Sequence, residues 1–564
     1  MHKEQLIQLI EDHLKKIYQN EYHPEYTNEF RTFIENWEGK EWGTPTPLTE
    51  ENIYLIAYGD SIYDNDRPTL PVLHQFLKEE AGEAITDVHL LPMFPYTSDD
   101  GFSVTDYRKI NPELGSWENI RSFSRDYRMM FDFVANHISQ SSEWFQKYLA
   151  GNPDFEGFFI PEDETFDTSN VVRPRTSPLF HEYEGETGVK TAWTTFSKDQ
   201  VDVNFKHFPA LMEMTNVLLD FLNEGATSIR LDAIGFIWKE SGTTCIHLPQ
   251  AHEIIKLWNT IVSYFKPNVQ IITETNVPHQ ENISYFGNGT DEANMVYQFS
   301  LPPLVLYSFT THNTRHLTEW AKTITKVSDQ ATYFNFLASH DGIGMRPTEG
   351  ILTEEEKKIL VDKVLENGGE VSYKSNPDGS QSVYELNINY TDALINQGED
   401  DELENVIRKM LAAHAILLSF IGVPAIYYHS LLGSSNDTAG LEESGIPRRI
   451  NREKLAYQEI KQELHENPRR QGIFNGLKQM IGIRKQQSAF SPYASQEVVD
   501  LSDQAFGLVR YNEDTGEKIF FAVNTGKEPE VVHLPFSGHE LLTNKAVTDK
   551  VTLGEYEFVW ILAD

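Results

Sequence analysis

The chain has 564 residues, of which 40% are hydrophobic and 12% aromatic, enough for a large core and for more than one minimal domain. Lys and Arg number 47 against 85 Asp and Glu, so the formal net charge is −38, and a field of that sign excludes nucleic acid and anionic membranes as partners. A single cysteine, Cys245, excludes an internal disulfide, and no apolar run is long enough to span a bilayer, so we expect a cytoplasmic protein.

The predicted elements begin with a helical N-terminal extension over residues 1–50, which ends in the Pro-rich GTPTPL. From residue 52 short apolar runs alternate with helical stretches. The seven clearest runs span 52–60, 87–95, 128–137, 227–236, 269–277, 332–341 and 417–428. Such runs are typical of parallel strands buried on both faces, and their alternation with helices predicts a barrel or a doubly wound sheet within residues 51–490.

Two stretches interrupt this alternation. Residues 140–205 are rich in loop signals, and residues 350–400 contain a second excursion with turn signals, so both read as insertions. After residue 490 the pattern changes to short strands such as AFGLVRYN and KIFFAVN. We therefore predict a small all-β C-terminal domain over residues 491–564.

Polar and ionisable residues lie at the ends of four of the predicted strands. They are Asn136 and His137, Arg230 and Asp232, Glu274, and His340 and Asp341. Charged groups at the ends of apolar runs are costly unless they face a solvated pocket. In a barrel of parallel strands, the C-terminal edge is where active sites form.

These segments, in this order, resemble the signature regions of glycoside hydrolase family 13, the α-amylase family. The first is Asp-x-x-x-Asn-His over 132–137, the second Arg-x-Asp at 230–232, and QVDVN at 200–204 is similar to a further family segment. The resemblance implies an α/β fold, a (β/α)8 TIM barrel with inserted subdomains and a C-terminal β domain. We expect no cofactor and no metal, because carboxylates can do all the proton-transfer and covalent chemistry and no ligand set with zinc spacing is present.

The resemblance assigns Asp232 as nucleophile and Glu274 as general acid/base, with Asp341 holding sugar hydroxyls in the transition state. A retaining glycosidase needs two such carboxyl groups about 5–5.5 Å apart. Arg230 can keep Asp232 ionised, and neighbouring carboxylates would raise the pKa of Glu274 so that it starts protonated. In the family's pattern Arg230, His137 and His340 also bind the sugar.

The segment FPYTSDDGFSVTDY is similar to the sucrose phosphorylase-like subfamily. It implies that Asp99 and Phe102 close the pocket around one glucose unit. The loop VVRPRTSPL resembles the phosphate-binding loop of these phosphorylases, which implies that Arg175 binds phosphate, with Tyr384 of SVYELN beside it. Arg448 matches a position that lines the glucose pocket. The implied partners are a small sugar substrate and inorganic phosphate.

Within that subfamily, GTTCIHLPQAH and ETNVPHQENISYFG look most like the glucosylglycerate phosphorylase branch. Asn276 stands where sucrose phosphorylases carry a His, and Ser382 and Glu385 also depart from them. The implied activity is a hexosyl transfer: 2-O-α-glucosylglycerate plus phosphate gives α-D-glucose 1-phosphate plus D-glycerate. The acceptor carboxylate needs donors, and the candidates are Asn276, His279, Lys374 and backbone amides.

Several alternatives stay open. The same chemistry could serve sucrose, sucrose 6'-phosphate or glucosylglycerol, or water could replace phosphate in a small α-glucoside hydrolase. A barrel that only binds sugar or a partner protein is a third class, and the intact catalytic segments count against it. A homodimer is compatible with the sequence.

Overall fold

The computed structural model describes all 564 residues and is built around eight parallel strands that close into a barrel. The strands are β1 (Tyr54–Ala57), β2 (Asp87–Leu90), β3 (Arg128–Phe133), β4 (Ala226–Leu231), β5 (Gln270–Thr273), β6 (Met295–Tyr297), β7 (Thr332–Asn335) and β8 (Val423–Tyr427). Each strand pairs with the next in the chain, and β8 pairs with β1 through Tyr54 and Ala425, so no edge is left open. The predicted (β/α)8 TIM barrel is confirmed.

Seven of the eight barrel strands fall in the predicted runs, and β6 is the one that the sequence did not single out. It is only three residues long, too short for a periodic signal. The last predicted run also needs correction. Its first part, through Ser419, is the end of a buried helix, and the strand itself begins at Val423.

Helices cover the outside of the barrel, and no helix combines the length and apolarity needed to cross a membrane. Those that follow the strands are Thr69–Phe76, Trp117–Asp126, Phe208–Asn223, Pro249–Phe265, His279–Ile283, Leu301–Thr311, Arg315–Ala321, Leu403–Ser419, Tyr457–Glu466 and Pro468–Arg484. Shorter or inserted helices are Glu143–Leu149, Glu354–Glu366, Tyr390–Leu394, Tyr428–Leu431 and Thr438–Ser444. Apolar side chains of strands and helices merge into one core of 145 buried residues.

Two N-terminal helices, Lys3–Tyr18 and Pro24–Trp37, pack against this outer layer. Each buries one apolar stripe, as expected of amphipathic helices on a larger body. Tyr26 stacks on Phe208 with 4.0 Å between ring centroids, and His13 hydrogen-bonds Glu253 at 2.7 Å. These contacts fix the extension to the two helices that follow β3 and β4.

The two excursions from the barrel rhythm each contain a hairpin on the C-terminal side of the strands. The first has strands Phe180–Gly185 and Gly188–Trp193, and its segment Val201–Asp202 pairs with His137–Ile138. The second has strands Glu370–Ser375 and Gln381–Asn387, which extend to Ile343–Gly344 in a three-stranded sheet. Both excursions therefore return to the barrel beside residues predicted to act in catalysis.

The C-terminal region forms two antiparallel sheets. The six-stranded sheet comprises Ser495–Val499, Ala505–Tyr511, Lys518–Asn524, Phe558–Ala563, Gly538–Glu540 and Ala546–Val547 in spatial order. The two-stranded sheet pairs Glu530–His533 with Lys550–Leu553. Trp560 donates a hydrogen bond to Ser419 at 2.7 Å, which attaches the larger sheet to the end of a barrel helix. A further small sheet pairs Ile62–Tyr63 with Leu455–Ala456.

Candidate active site

A cavity of about 700 Å³ opens at the C-terminal end of the barrel strands. Eleven of the twelve residues predicted for the site line it. They are Asp99, Phe102, His137, Arg175, Asp232, Glu274, Asn276, His340, Asp341, Tyr384 and Arg448. Residues more than 340 positions apart in the chain thus converge on one space, as the strand-end pattern predicted. The roles assigned to them remain proposals.

Asp232 directly follows β4, and its backbone N–H donates to the carbonyl of Phe133 at 3.2 Å. The Arg230 guanidinium donates to Oδ1 of Asp232 at 3.0 Å and to both oxygens of Asp132 at 2.9 and 3.1 Å. Its Nε donates to the Tyr297 hydroxyl at 3.0 Å.

Arg230 is the twelfth predicted residue, and it lies beneath the cavity rather than in its wall. Only 2% of the residue is exposed. Its Nε and Nη1 donate to Tyr297 and the two aspartates, whereas Nη2 makes no hydrogen bond and lies 3.9 Å from Oε2 of Glu274. The Nη2 group, beside Glu274, is the part of Arg230 without a protein hydrogen bond, and sugar binding by Arg230 stays a prediction. Arg230 places a buried positive charge 3.0 Å from Asp232, as expected of a residue that keeps the Asp232 carboxylate ionised.

Glu274 follows β5, the strand next to β4, so the two carboxyl groups end side by side. Its Oε2 accepts a hydrogen bond from the backbone N–H of Ala233 at 2.9 Å. Ala233 has φ of +48°, a left-handed conformation that is costly for a residue with a Cβ. The backbone just after Asp232 is therefore held in a strained turn whose N–H points at Glu274.

Burial raises the pKa of both Asp232 and Glu274, and their mutual proximity adds to the rise on Asp232. Two carboxyl groups this close compete for ionisation, so the last proton they hold belongs to the pair. Burial raises the pKa of Asp232 more than that of Glu274, but Asp232 is the carboxyl group in direct contact with the Arg230 guanidinium, and that contact favours its ionised form. Arg230 lies 3.0 Å from Asp232 and 3.9 Å from Glu274. We therefore assign the shared proton to Glu274.

Asp341 follows β7 and is held by arginines. Arg448 lies 2.8 Å from its Oδ1 and also contacts Glu385 through two hydrogen bonds of 2.7 and 3.1 Å. Against the effect of burial, Arg448 and its neighbours keep the pKa of Asp341 below its ordinary value. Burial lowers the pKa of His340 well below its usual range, so its ring is neutral, and its Nδ1 has no partner.

Asp99, Phe102 and His137 form one part of the cavity lining. Phe102 stacks on His340 with 4.9 Å between centroids and 4° between planes. Gln200, from the family-like QVDVN segment, donates to Asp99 and to the Phe102 carbonyl, each at 3.1 Å. His137 hydrogen-bonds the same carbonyl at 3.0 Å and Asn136 at 3.1 Å, so both of its ring nitrogens have protein partners.

On the side of the two excursions, Arg175 lies between two aromatic rings. Its guanidinium carbon is 5.2 Å from the centroid of Phe196 and 5.2 Å from that of Tyr384. One nitrogen donates to the carbonyl of Pro174 at 3.0 Å, and no carboxylate lies within 4.0 Å. Phe196 was not predicted, because a lone Phe in a loop carries no signal. Arg173 differs: it donates to the Ser177 carbonyl and does not line the cavity.

The acceptor candidates separate in the structure. Asn276 lines the cavity, and its buried Oδ1 has no hydrogen-bond partner. Lys374 lines a neighbouring cavity instead and donates to Asn376 at 2.8 Å. His279 packs edge-on against Trp320 away from the site, since its ring belongs to the helix that follows β5. Arg346, which the sequence did not single out, also lines the catalytic cavity.

Comparison with known proteins agrees with this geometry. Residues 77–361, from before β2 to beyond β7, match the family model described as the α-amylase catalytic domain. The chain belongs to the α-amylase family. Its glycoside hydrolase family 13 barrel is similar to the crystal structure of sucrose 6F-phosphate phosphorylase from Thermoanaerobacter thermosaccharolyticum. The TM-score is 0.73 over 91% of this chain and 98% of that one, with 24% identity, which supports the shared fold.

Two family members are similar over almost their full lengths. A glucosylglycerate phosphorylase of Spirochaeta thermophila is 43% identical over 534 residues, which is 91% of this chain and 90% of that protein. A glucosylglycerate phosphorylase of Escherichia coli K12 is 44% identical over 516 residues, which is 91% of this chain and 92% of that protein. The resemblance drawn from the strand-end motifs thus extends over the whole architecture.

Proposed function

We propose that this enzyme is a retaining α-glucoside phosphorylase that converts 2-O-α-glucosylglycerate and phosphate to α-D-glucose 1-phosphate and D-glycerate. One observation carries the proposal: Arg175 and Arg346 line the catalytic cavity with no carboxylate in hydrogen-bond contact. In a chain of net charge −38, arginines that hydrogen-bond no carboxylate and lie beside catalytic carboxylates fit anionic reactants. Glycerate and phosphate are both anions, and the glucosylglycerate phosphorylases named above support that pair.

In the first step, an oxygen of Asp232 attacks C1 of the glucosyl unit while Glu274 transfers its proton to the departing oxygen of glycerate. The bond from C1 to that oxygen breaks, and a covalent glucosyl ester on Asp232 forms with inverted configuration. Arg230 keeps the nucleophile ionised until this point. Asp341, held as an anion by Arg448, binds sugar hydroxyls as the ring distorts.

In the second step, phosphate occupies the space that glycerate has left, with Arg175 as its cationic partner. Glu274, now ionised, accepts a proton from the phosphate as its oxygen attacks C1. The ester to Asp232 breaks and α-glucose 1-phosphate forms with net retention. Asp99 and Phe102, which line the cavity, are the residues we propose to limit it to one glucose unit.

A small α-glucoside hydrolase is the second candidate function, because the same carboxyl pair would accept water. The position of Arg175 favours phosphate: nothing else on the protein neutralises its charge except aromatic faces. Phosphate therefore gains a charge-assisted contact that water cannot use.

The test supplies glucose 1-phosphate with D-glycerate, fructose, fructose 6-phosphate or glycerol and measures phosphate release, with Asp232→Asn as the inactive control. We expect kcat/KM for glycerate to exceed that for glycerol about tenfold to a hundredfold, since glycerol leaves buried donors unpaired. Equal values for glycerol or fructose would contradict the acceptor assignment. Release of free glucose at saturating phosphate would identify a hydrolase instead.

We also propose that the enzyme acts in the cytoplasm as a homodimer. Its one cysteine, Cys245, is buried and unpaired, as a reducing compartment allows. Light scattering on the purified enzyme measures its mass directly, and a mass of one chain would contradict the dimer.

A further inference from the structure

Arg346 lines the catalytic cavity together with Glu274 and Asn276. It begins the short helical turn Arg346–Thr348, which directly follows the strand Ile343–Gly344. That strand pairs with the hairpin of the second excursion, where Gly344 faces Glu385 and the Met345 N–H donates to the Tyr384 carbonyl at 2.9 Å. The backbone before Arg346 is thus fixed from one side by that hairpin.

From the other side it is fixed by Asn276. A Cβ added to Gly344 would lie 2.3 Å from Oδ1 of Asn276, so only glycine allows this approach. Asn276 follows the general acid Glu274 by two residues. The segment that carries Arg346 therefore runs alongside the residues that receive the leaving group.

The guanidinium of Arg346 is available for a ligand. Its side chain is 13% exposed, its Nε is buried without a hydrogen-bond partner, and the nearest carboxylate, Glu349, is 4.0 Å from Nε. The other cations of the cavity differ: Arg448 is bound to Asp341 and Glu385, and Arg175 lies under Tyr384. Arg346 is the cavity's cation next to Asn276.

Building on the proposed function, we infer that Arg346, with Asn276 beside it, binds the carboxylate of the acceptor. In 2-O-glucosylglycerate one carbon atom separates the carboxyl group from the oxygen that Glu274 protonates. The donors for that carboxylate must therefore lie close to Glu274, as the Gly344–Asn276 contact places them. An arginine presents paired N–H groups that match a carboxylate, and the amide of Asn276 can supply a further donor. Arg175, which lies against Phe196 and Tyr384, is the cation proposed for phosphate when phosphate enters that space.

The test compares wild type, Arg346→Met and Arg346→Lys, with Arg175→Met as the matched control. Glucose 1-phosphate with glycerate or glycerol measures acceptor use, and α-glucosyl fluoride with phosphate measures phosphate use without any carboxylate. For Arg346→Met we expect kcat/KM for glycerate to fall about tenfold to a hundredfold, with glycerol and the KM for phosphate changed less than about threefold. Arg175→Met should instead raise the KM for phosphate about tenfold to a hundredfold. Its glycerate use is measured with α-glucosyl fluoride as donor, because the phosphate group of glucose 1-phosphate would itself meet Arg175, and there the preference for glycerate over glycerol should stay within about threefold of wild type.

Equal losses for glycerate and glycerol, or a rise in the phosphate KM as large as that for glycerate, would overturn the inference. If Arg346→Met does not fold, Arg346→Lys decides: it keeps the charge but not the planar fork, so glycerate should weaken at least threefold while phosphate does not. A wild-type enzyme that ignores glycerate would sink the proposed function itself. If instead the wild type uses glycerate and Arg346→Met uses it equally well, only the role of Arg346 is refuted and the proposed function stands.

Discussion

Arg175→Ala should separate phosphate use from glucosyl transfer. The Arg175 guanidinium has one hydrogen bond to its own loop, at 3.0 Å to the Pro174 carbonyl, and otherwise contacts only the faces of Phe196 and Tyr384. Its remaining N–H groups are thus free for an anion. A hydrogen bond to a charged group contributes about 1.5–3 kcal/mol, and about 1.4 kcal/mol corresponds to a tenfold change.

We therefore expect the KM for phosphate to rise about tenfold to a hundredfold. Cleavage of α-glucosyl fluoride by water, measured without phosphate, should change by less than about threefold, since Asp232 and Glu274 do not depend on Arg175. Loss of the two aromatic contacts should cost about 0.5–2 kcal/mol in stability, visible as a lower unfolding midpoint.

The assay follows glucose 1-phosphate formation against phosphate concentration, with free glucose measured in the same samples. Arg175→Lys is the matched control, because it retains the charge without the fork and should fall between wild type and Arg175→Ala. A phosphate KM that stays at the wild-type value in Arg175→Ala would refute the reasoning. A parallel loss of hydrolysis would show that the substitution had disturbed the catalytic pair instead.

Four further outcomes are expected. Asp232→Asn should fold and bind substrate, as measured by calorimetry, but its turnover should fall more than about a hundredfold. A variant that binds substrate and keeps more than about a hundredth of the wild-type rate would contradict covalent catalysis by Asp232. Glu274→Gln should lose most activity on glucosylglycerate yet spare α-glucosyl fluoride, whose leaving group needs little protonation, and azide should restore turnover. Because burial raises the pKa of Glu274 and the protonated acid is active, wild-type kcat/KM on glucosylglycerate should fall as pH rises through that pKa; this alkaline limb should vanish in Glu274→Gln, and its persistence there would assign the proton elsewhere. Glu385→Gln should free one side of Arg448, lower the unfolding midpoint and reduce kcat/KM for the donor by about tenfold or less, with an unchanged midpoint counting against the pair's role.

The catalytic residues could be predicted because barrel strands carry two signals at once. An apolar run such as RMMFDFV marks the strand, and a polar residue at its end marks the side that faces the cavity. Where one signal is missing the prediction fails. Strand β6 has three residues and no charged end, so both the strand and the contact of Tyr297 with Arg230 went unseen.

The acceptor side was harder, because its residues come from segments with no strand pattern. Lys374 and His279 can both donate hydrogen bonds and lie in suitable places along the chain. The hairpin, however, places Lys374 in a neighbouring cavity, and the short helix packs His279 against Trp320. Arg346 had one usable signal, its position five residues after Asp341. Position in sequence alone does not tell which way an arginine after a tight turn will point.

The contact between Arg175 and Tyr384 joins loops that lie more than 200 residues apart, one from each excursion. None of the barrel strands contributes to it. If Arg175 binds phosphate as proposed, this contact between the two excursions would favour transfer of a glucosyl ester on Asp232 to an anion over transfer to water, with the carboxyl pair unchanged. Shortening either loop is a route by which one barrel, with no change in its catalytic residues, turns an energy-conserving phosphorylase into an enzyme that releases free sugar.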